Sequence, residues 1–515
     1  MVNPRTPVLI GGGQKTFRKG DAPGPMAMML EAAKAAAADA GLPESALKGV
    51  DWLGVVGFTI DSGGNVRRLP IPRYPDPPAA FAAEIGAKPK RSLYTHMGGN
   101  TPQALVNLAA EEIAEGRAEL VLLVGTEFLG SLMARLKSGG DVSMYGVAGV
   151  TGPADHVERW GDDRPGCTDQ ERAHGLDFPT NVYPLFENAL RAHRGSSLEA
   201  HQLSMGKLFA PFSAVAAKNP NAWFPKARSA EEISAEGPEN RMVGFPYTKY
   251  LNAIIQVDQA AAIVMASTAK ADELGVAQEK RVYLHGCADA TELWNPLDRV
   301  NYHSSPAIRT GTQKAFAMAG KKPADMDFFD LYSCFPSAVE IACAEIGLKE
   351  DDPRGLTVTG GLPYFGGPGN NYVMHSIAEM LTRLRGKPGS FGLVTANGWF
   401  LTKHAFGIYS TTPTKGAWKR ENPKSYQKEI DAMAHPEIVR EPSGDATIET
   451  FTVVHARDHV RLGIVIGRDA QGRRFVANTP EDEALLMDME SRESVGRKGS
   501  VVSTDGGMKN VFTPA

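Results

Sequence analysis

Apolar and polar positions along the chain fall into short alternations of strand and helix. Val8–Gly13 reads as a strand ending in glycines, and Met26–Ala40 as an Ala-rich helix ended by Gly41-Leu42-Pro43. Trp52–Phe58 is the next strand. In the stretch Arg91–Glu127, Ala104, Leu105, Leu108, Ala109 and Ile113 recur at helical spacing, while Glu111, Glu112 and Glu115 mark a polar face. Pro102 suits the first helical position, with Thr101 as the cap before it. Gly116 stops that helix, and Glu119–Gly125 is a continuous apolar run of the buried parallel-strand kind. The order strand–helix–strand–helix–strand predicts a parallel sheet with helices on both faces.

The order then returns. Arg281–Gly286 is a strand, Ile308–Gly320 a helix, Phe328–Tyr332 a strand, Asn371–Gly386 a helix and Ser390–Asn397 a strand. Ala40-Gly41 followed by Val50-Asp51-Trp52 is echoed by Ala319-Gly320 followed by Met326-Asp327-Phe328. Two similar halves imply a duplicated α/β unit whose site lies where the helix starts near Gly98 and Asn370 converge; two unrelated α/β domains are the plainer alternative.

The divisions expected are a first half over 1–270, a second over 271–413, a linker over 414–445 and a C-terminal domain over 446–515. Within the first half, 128–250 is polar, rich in Gly and Pro, with short helices such as Tyr183–Ala192, and reads as an inserted lid or binding region. Ala446–Val454, Val460–Ile466, Arg473–Ala477 and Val501–Ser503 alternate as strands around the turn Asp469–Gly472, which predicts a small β-barrel.

The length of 515 residues calls for two to four domains, and the chain is 42% hydrophobic and 22% charged, as in globular proteins. A net charge of −4, with both signs interspersed, leaves no basic footprint for nucleic acid. Arg461, Arg468, Arg473 and Arg474 read as a solvated face. No stretch approaches the ~18 apolar residues of a membrane span, and Met1-Val-Asn-Pro-Arg carries no signal peptide. The four cysteines (Cys167, Cys287, Cys334, Cys343) have neither paired nor metal-ligand spacing. A cytoplasmic protein without disulfides or metal is expected.

The two halves, their order and their glycine motifs resemble the thiolase superfamily over Thr6–Pro413, in the style of its sterol-carrier-protein-type, acetyl-CoA acetyltransferase-like branch. The resemblance implies a five-layer α/β/α/β/α fold. It also implies coenzyme A thioesters as substrate or ligand, with no tightly bound cofactor. The family commonly dimerises through the first half's sheet edge, a contact the extra C-terminal domain can block or replace. In the family, the helix start near Gly98 carries the acylated cysteine; this chain offers Met97-Gly98-Gly99. The Asn-Glu-Ala-Phe-type loop corresponds to Tyr332-Ser333-Cys334-Phe335, the Gly-His-Pro motif reads Gly366-Gly367-Pro368, and the final Cys-X-Gly reads Ala396-Asn397-Gly398. Two thiols and an imidazole are therefore missing together, which removes ordinary thiolysis. Ala446–Phe512, through Glu449–His455, resembles the OB-like domain that accompanies thiolase-like acyltransferases and aldolases.

C–C chemistry beside a thioester needs an acid/base and donors for an enolate oxyanion, neither of which requires a thiol. Tyr332, at a strand end, and His404, just beyond Ala396-Asn397-Gly398, are candidates for proton handling. Asn397 is a candidate oxyanion donor, and His96 a replacement for the lost imidazole. Gly98, Gly99, Asn100, Gly367, Asn370 and Asn371 form a candidate oxyanion cradle at the two helix starts. Cys334 is either a relocated nucleophile or a small core residue. Tyr247, Lys249 and Tyr250 are candidates for an acyl or pantetheine channel, or for a solvated loop. Three readings stand. The first is a cysteine-independent enzyme of aldol or retro-aldol type acting on acyl-CoA. The second is a non-catalytic acyl-CoA or lipid binder, and the third a Claisen acyltransferase using Cys334.

Overall fold

The computed structural model describes residues 2–18, 22–62 and 69–515. Its strands are β1 (Pro7–Thr16), β2 (Trp52–Val55), β3 (Arg91–Thr95), β4 (Leu120–Phe128), β5 (Arg159–Trp160), β6 (Met242–Gly244), β7 (Tyr247–Thr248), β8 (Asp258–Ser267) and β9 (Val282–Thr291). They continue with β10 (Phe328–Asp330), β11 (Phe391–Gly398), β12 (Lys403–Ser410), β13 (Gly444–His455), β14 (Val460–Asp469), β15 (Arg474–Asn478), β16 (Lys498–Thr504) and β17 (Lys509–Pro514). The first-half sheet runs β1-β8-β4-β2-β3-β5 and the second β9-β12-β11-β10. Two residue pairs, Val8–Tyr283 and Leu9–Val282, join them.

The Pro25–Asp39 helix covers the outer face of β1, β8 and β4, and the Pro306–Ala319 helix that of β9 and β12. Helices Thr101–Ala114 and Tyr372–Gly386 pack against each other between the sheets, completing the five layers. The period of two along β1 sets this arrangement. A side chain at Gly11 or Gly13 would strike the backbone of the Pro25–Asp39 helix, whereas one at Gly12 would strike Ala378 of the middle layer. Gly286 of β9 meets the Ala315 carbonyl as Gly11 meets that of Ala36, so the same close approach recurs in both halves.

Several expectations need correction. The sheets are mixed: β1–β8, β8–β4, β11–β12 and β12–β9 pair antiparallel, while β4–β2–β3–β5 and β10–β11 are parallel. The expected order omitted β3, β12 and the Pro336–Ile346 helix. Thr101 is not the cap; Asn100 holds that position, and the Thr101 hydroxyl donates to the Gly98 carbonyl at 2.8 Å. Region 128–250 contains helices of 15 and 21 residues, Pro179–His193 and Leu198–Lys218. Pro184 and Pro211 lie inside them, which hides their length from a sequence reading.

The C-terminal strands close a five-stranded barrel in the order β13-β14-β15-β17-β16, returning to β13. β17 and the Glu483–Ser491 helix were not anticipated. The barrel is docked rather than tethered: β6 extends β13 at Gly244–Val454, and Asn188 donates to the Phe451 carbonyl at 2.9 Å. The 414–445 segment is strapped to the second half, where the Tyr426 hydroxyl donates to the Asp289 carbonyl at 2.8 Å. No described helix is long and apolar enough to cross a membrane. The β3 edge is covered by β5, from region 128–250, and not by the C-terminal barrel.

Candidate active site

The two helix starts do converge. The Gly98 amide donates to Asn370 Oδ1 at 2.9 Å, and Asn370 Nδ2 donates to the Gly57 carbonyl at 2.8 Å. This clamp uses both ends of the Asn370 amide, so Asn370 and the Gly98 N–H bind the halves together instead of facing a ligand. The Gly367 amide is likewise committed, to the Ile254 carbonyl at 2.8 Å. Of the expected cradle, Asn100 Oδ1 and both polar atoms of the Asn371 amide remain buried without a partner. Asn100 Oδ1 lies at the Gly98 turn and Asn371 Oδ1 over Gly125 of β4; buried polar groups in proteins are nearly always bonded, so each is a candidate contact for water or a polar ligand.

The Gly98-Gly99 backbone is pressed against the turn after β11. A Cβ on Gly99 would collide with the Tyr332 hydroxyl and the Asn397 carbonyl, and one on Gly98 with Asn100 Oδ1. Asn397 Nδ2 donates to the Tyr183 hydroxyl at 2.8 Å, and its Oδ1 has no partner. Tyr183 in turn donates to the Trp399 carbonyl at 3.1 Å and accepts from the Leu401 amide at 3.2 Å. Trp399 (φ 56°) and Leu401 (φ 54°) are both left-handed, an arrangement that costs side chains energy and concentrates at functional turns.

Burial dominates the electrostatics here. It raises the Tyr332 phenol well above its ordinary range, so of the proton-handling roles Tyr332 keeps that of a donor at neutral pH and not that of a base. The Cys334 thiol is pushed up to about 12, which leaves it a small core residue rather than a thiolate. His96 is lowered by burial and then by Arg159, whose Nη2 lies 3.4 Å from His96 Nδ1. His404 is lowered by burial to about 3, with Nε2 donating to the Leu401 carbonyl at 3.1 Å. It shares a void of about 10 Å³ with Tyr332 and Asn397, about the space of one water. On β12, Gly407 abuts Gln103 of the middle layer while Phe406 abuts Gly311 of the outer helix. His404 shares the Phe406 face, so strand alternation aims it away from Gly98.

The expected channel residues separate. Tyr247 is fully buried and donates to Glu187 Oε2 at 2.6 Å, with the Ser337 hydroxyl 2.8 Å from the phenol oxygen. His201 Nε2 lies 2.5 Å from Glu187 Oε1, and Arg194 donates to Glu340 Oε1 at 3.0 Å. Glu187, His201 and Glu340 form the one described Glu/His group with metal-ligand proximity. Lys249 is exposed, and the Tyr250 ring lies 3.9 Å beneath the Arg228 guanidinium. No shared channel emerges from the three.

With the geometry in place, the comparisons divide by region and by whole chain. Residues 425–506 match the family described as the thiolase-like protein type 1 additional C-terminal domain. Over 100% of both chains, the fold matches the crystal structure of a monomeric SCP2-thiolase like protein type 1 from Mycobacterium smegmatis, at 37% identity and a TM-score of 0.84. The chain belongs to the type 1 SCP2-thiolase-like proteins. A curated relative of this thiolase-like protein, a 17-hydroxy-3-oxo-4-pregnene-20-carboxyl-CoA lyase of Mycobacterium tuberculosis, is 26% identical over 403 residues, covering 73% of this chain and 91% of the lyase. The fold is also shared with an Ltp2-ChsH2(DUF35) aldolase, at 22% identity and a TM-score of 0.57, covering 80% of this chain and 99% of that one.

In this thiolase-like protein the residue passed over by sequence is Lys403. Its Nζ would lie 3.1 Å from a Cβ on Gly98, and it donates to the carbonyls of Met97 and, at 3.1 Å, Asp162. Burial lowers the amine to about 8, with Asp162 opposing the shift. The signal was available: on a strand after the turn, residues 403 and 404 face opposite sides, so choosing His404 excluded its neighbour.

Proposed function

We propose that this protein makes or breaks a C–C bond in a coenzyme A thioester by aldol or retro-aldol chemistry, without a covalent acyl-enzyme. The observation that carries the reading is the Tyr332 hydroxyl, which fills the space over Gly99 where a side chain would stand at the helix start. A neutral phenol at that point is a donor for a thioester oxygen as it becomes an enolate, and the positive end of the 14-residue Thr101–Ala114 helix adds to it. The unpartnered amide oxygen of Asn100 would accept from a substrate hydroxyl or amide group. The relative named as a CoA lyase supports the same class of chemistry. A second reading, a protein that binds CoA esters without turning them over, is favoured by the committed amides of Gly98 and Gly367.

The test is incubation with a panel of 3-hydroxyacyl-CoA and 3-ketoacyl-CoA esters, followed by mass spectrometry of products and protein. Aldehyde or ketone plus a shortened acyl-CoA, with unmodified protein, is the expected result. Tyr332→Phe should lower turnover by ~10²-fold or more while affinity is kept. Esters recovered bound and unchanged would leave the binding protein as the better account.

A further inference from the structure

We propose that Lys403 is the general base of this site, taking the hydroxyl proton of a 3-hydroxyacyl thioester through Nζ. The inference rests on the retro-aldol reading above and supplies the acid/base that the missing cysteine and histidine leave open. Lys403 belongs to the same β12 face as Gly407, the face turned to the helix that Gly98 precedes. Its side chain is 96% buried, at 4% exposure, and reaches Met97 and Asp162 rather than solvent.

The hydrogen bonding leaves the lone pair of the neutral amine unused. A neutral lysine amine has two N–H groups and one lone pair, and the Met97 and Asp162 carbonyls accept both hydrogens. The lone pair is then the position left over, beside Gly98, which has no side chain to occupy it. Asn100 Oδ1 crowds the same Gly98 Cβ point and has no partner, so a substrate hydroxyl or amide entering there meets an acceptor as well as a base.

The groups that act on Lys403 come from region 128–250: Asp162 and Asp163 favour its charged form and Arg164 disfavours it. Trp294 and Trp399 lie with ring centroids 5.9 and 6.0 Å from Nζ, at the outer limit of cation–π contact. Rival bases fail on geometry. His96 faces Arg159, His404 faces the outer layer, and Glu127 accepts from the Thr59 and Phe128 amides behind Gly369.

The step balances without a further reagent. The hydroxyl proton moves to Nζ, C3–O becomes a carbonyl, and the C2–C3 bond breaks. Its electron pair moves to the thioester as an enolate under the Tyr332 hydroxyl. The Lys403 ammonium then protonates C2, regenerating the amine and releasing an aldehyde or ketone and a shortened acyl thioester.

Two measurements test it on the full chain. Trace labelling with isotopic acetic anhydride across pH, read at the Lys403 peptide, should show a midpoint near 8, against ~10.4 for ordinary lysines. With an ester that wild type cleaves, kcat/KM should rise with pH through the same midpoint. Lys403→Arg should abolish that limb and cost ~10²-fold or more, and exogenous methylamine should restore part of the activity of Lys403→Ala. Lys403→Gln, checked for an unaltered thermal midpoint, guards against a folding defect in the arginine variant. A cleaved ester with an unchanged pH profile in folded Lys403→Arg or Lys403→Gln overturns the base and leaves the retro-aldol reading standing. A labelling midpoint at the ordinary value also overturns it. If wild type cleaves none of the panel although Lys403 titrates near 8, the retro-aldol reading falls and takes the base with it.

Discussion

Glu127 ends the buried β4 strand with its carboxylate inside the protein, and replacing it with glutamine isolates the energetic effect of one charge. Its Oε2 accepts from the Thr59 amide at 3.2 Å and its Oε1 from the Phe128 amide at 3.3 Å. These contacts do not offset desolvation, and Asp61 adds repulsion, so the group is raised from 4.5 to about 7. A folded-state value above the unfolded one means the native protein holds this proton more tightly. The group's contribution is therefore full below about 4.5 and is lost as pH rises through about 7. The rise from 4.5 to about 7 corresponds to ~3 kcal/mol lost by pH 8. Glu127→Gln, an uncharged isostere, should gain that amount over wild type between pH 4.5 and 8. The assay is hydrogen exchange of the β4 peptide in both proteins, corrected at each pH for intrinsic rate. A wild-type-to-variant difference that does not change with pH would refute the argument that burial governs this carboxyl.

Other outcomes follow from contacts already described. Gly99→Ala should destabilise by ~1–3 kcal/mol in urea unfolding through overpacking, with only part recovered in Gly99→Ala/Tyr332→Phe, because the Asn397 carbonyl still obstructs the methyl. Gly99→Cys meets the same obstruction and should yield no acyl adduct with acetoacetyl-CoA. Burial and the neighbouring Glu187 raise Glu340 well above its ordinary value, so Glu340→Gln should leave the thermal midpoint at pH 7 unchanged or higher. Glu187→Gln, which disturbs the acceptor of His201 and Tyr247, should lower stability by ~1–3 kcal/mol. Arg159→Pro, which removes the guanidinium lying over the Tyr94 ring, should loosen β5 from β3 and give concentration-dependent dimers in analytical ultracentrifugation; a strictly monomeric variant would separate edge coverage from assembly.

The duplicated halves were legible because each repeats a helix ended by a left-handed glycine, Gly41 (φ 75°) and Gly320 (φ 60°), and a strand glycine packed on a helix carbonyl. The convergence of the helix starts at Gly98 and Asn370 was legible for the same reason. Strand direction was not, since a buried apolar run such as Asp258–Ser267 looks alike whether its neighbours run parallel or antiparallel. The roles within the site were harder still. Which carbonyl uses the Gly98 or Gly367 amide is decided by segments 272 or 113 positions away, which no local pattern reveals. Tyr247 shows the same limit: its buried carboxylate partner, Glu187, lies 60 positions earlier.

The two-residue strand Arg159–Trp160 matters beyond its length. An uncovered strand edge is self-complementary: a second copy, turned by a two-fold axis, can continue the same ladder. Here the Tyr94 and His96 amides already donate to the Glu158 and Trp160 carbonyls, at 2.9 and 2.8 Å. Arg91 adds an ion pair to Glu158 at 2.6 Å. The molecule thus supplies internally the strand that an identical neighbour would otherwise contribute. The place beside β3 that a second copy's strand would take is filled by residues of the inserted region, outside the repeated unit.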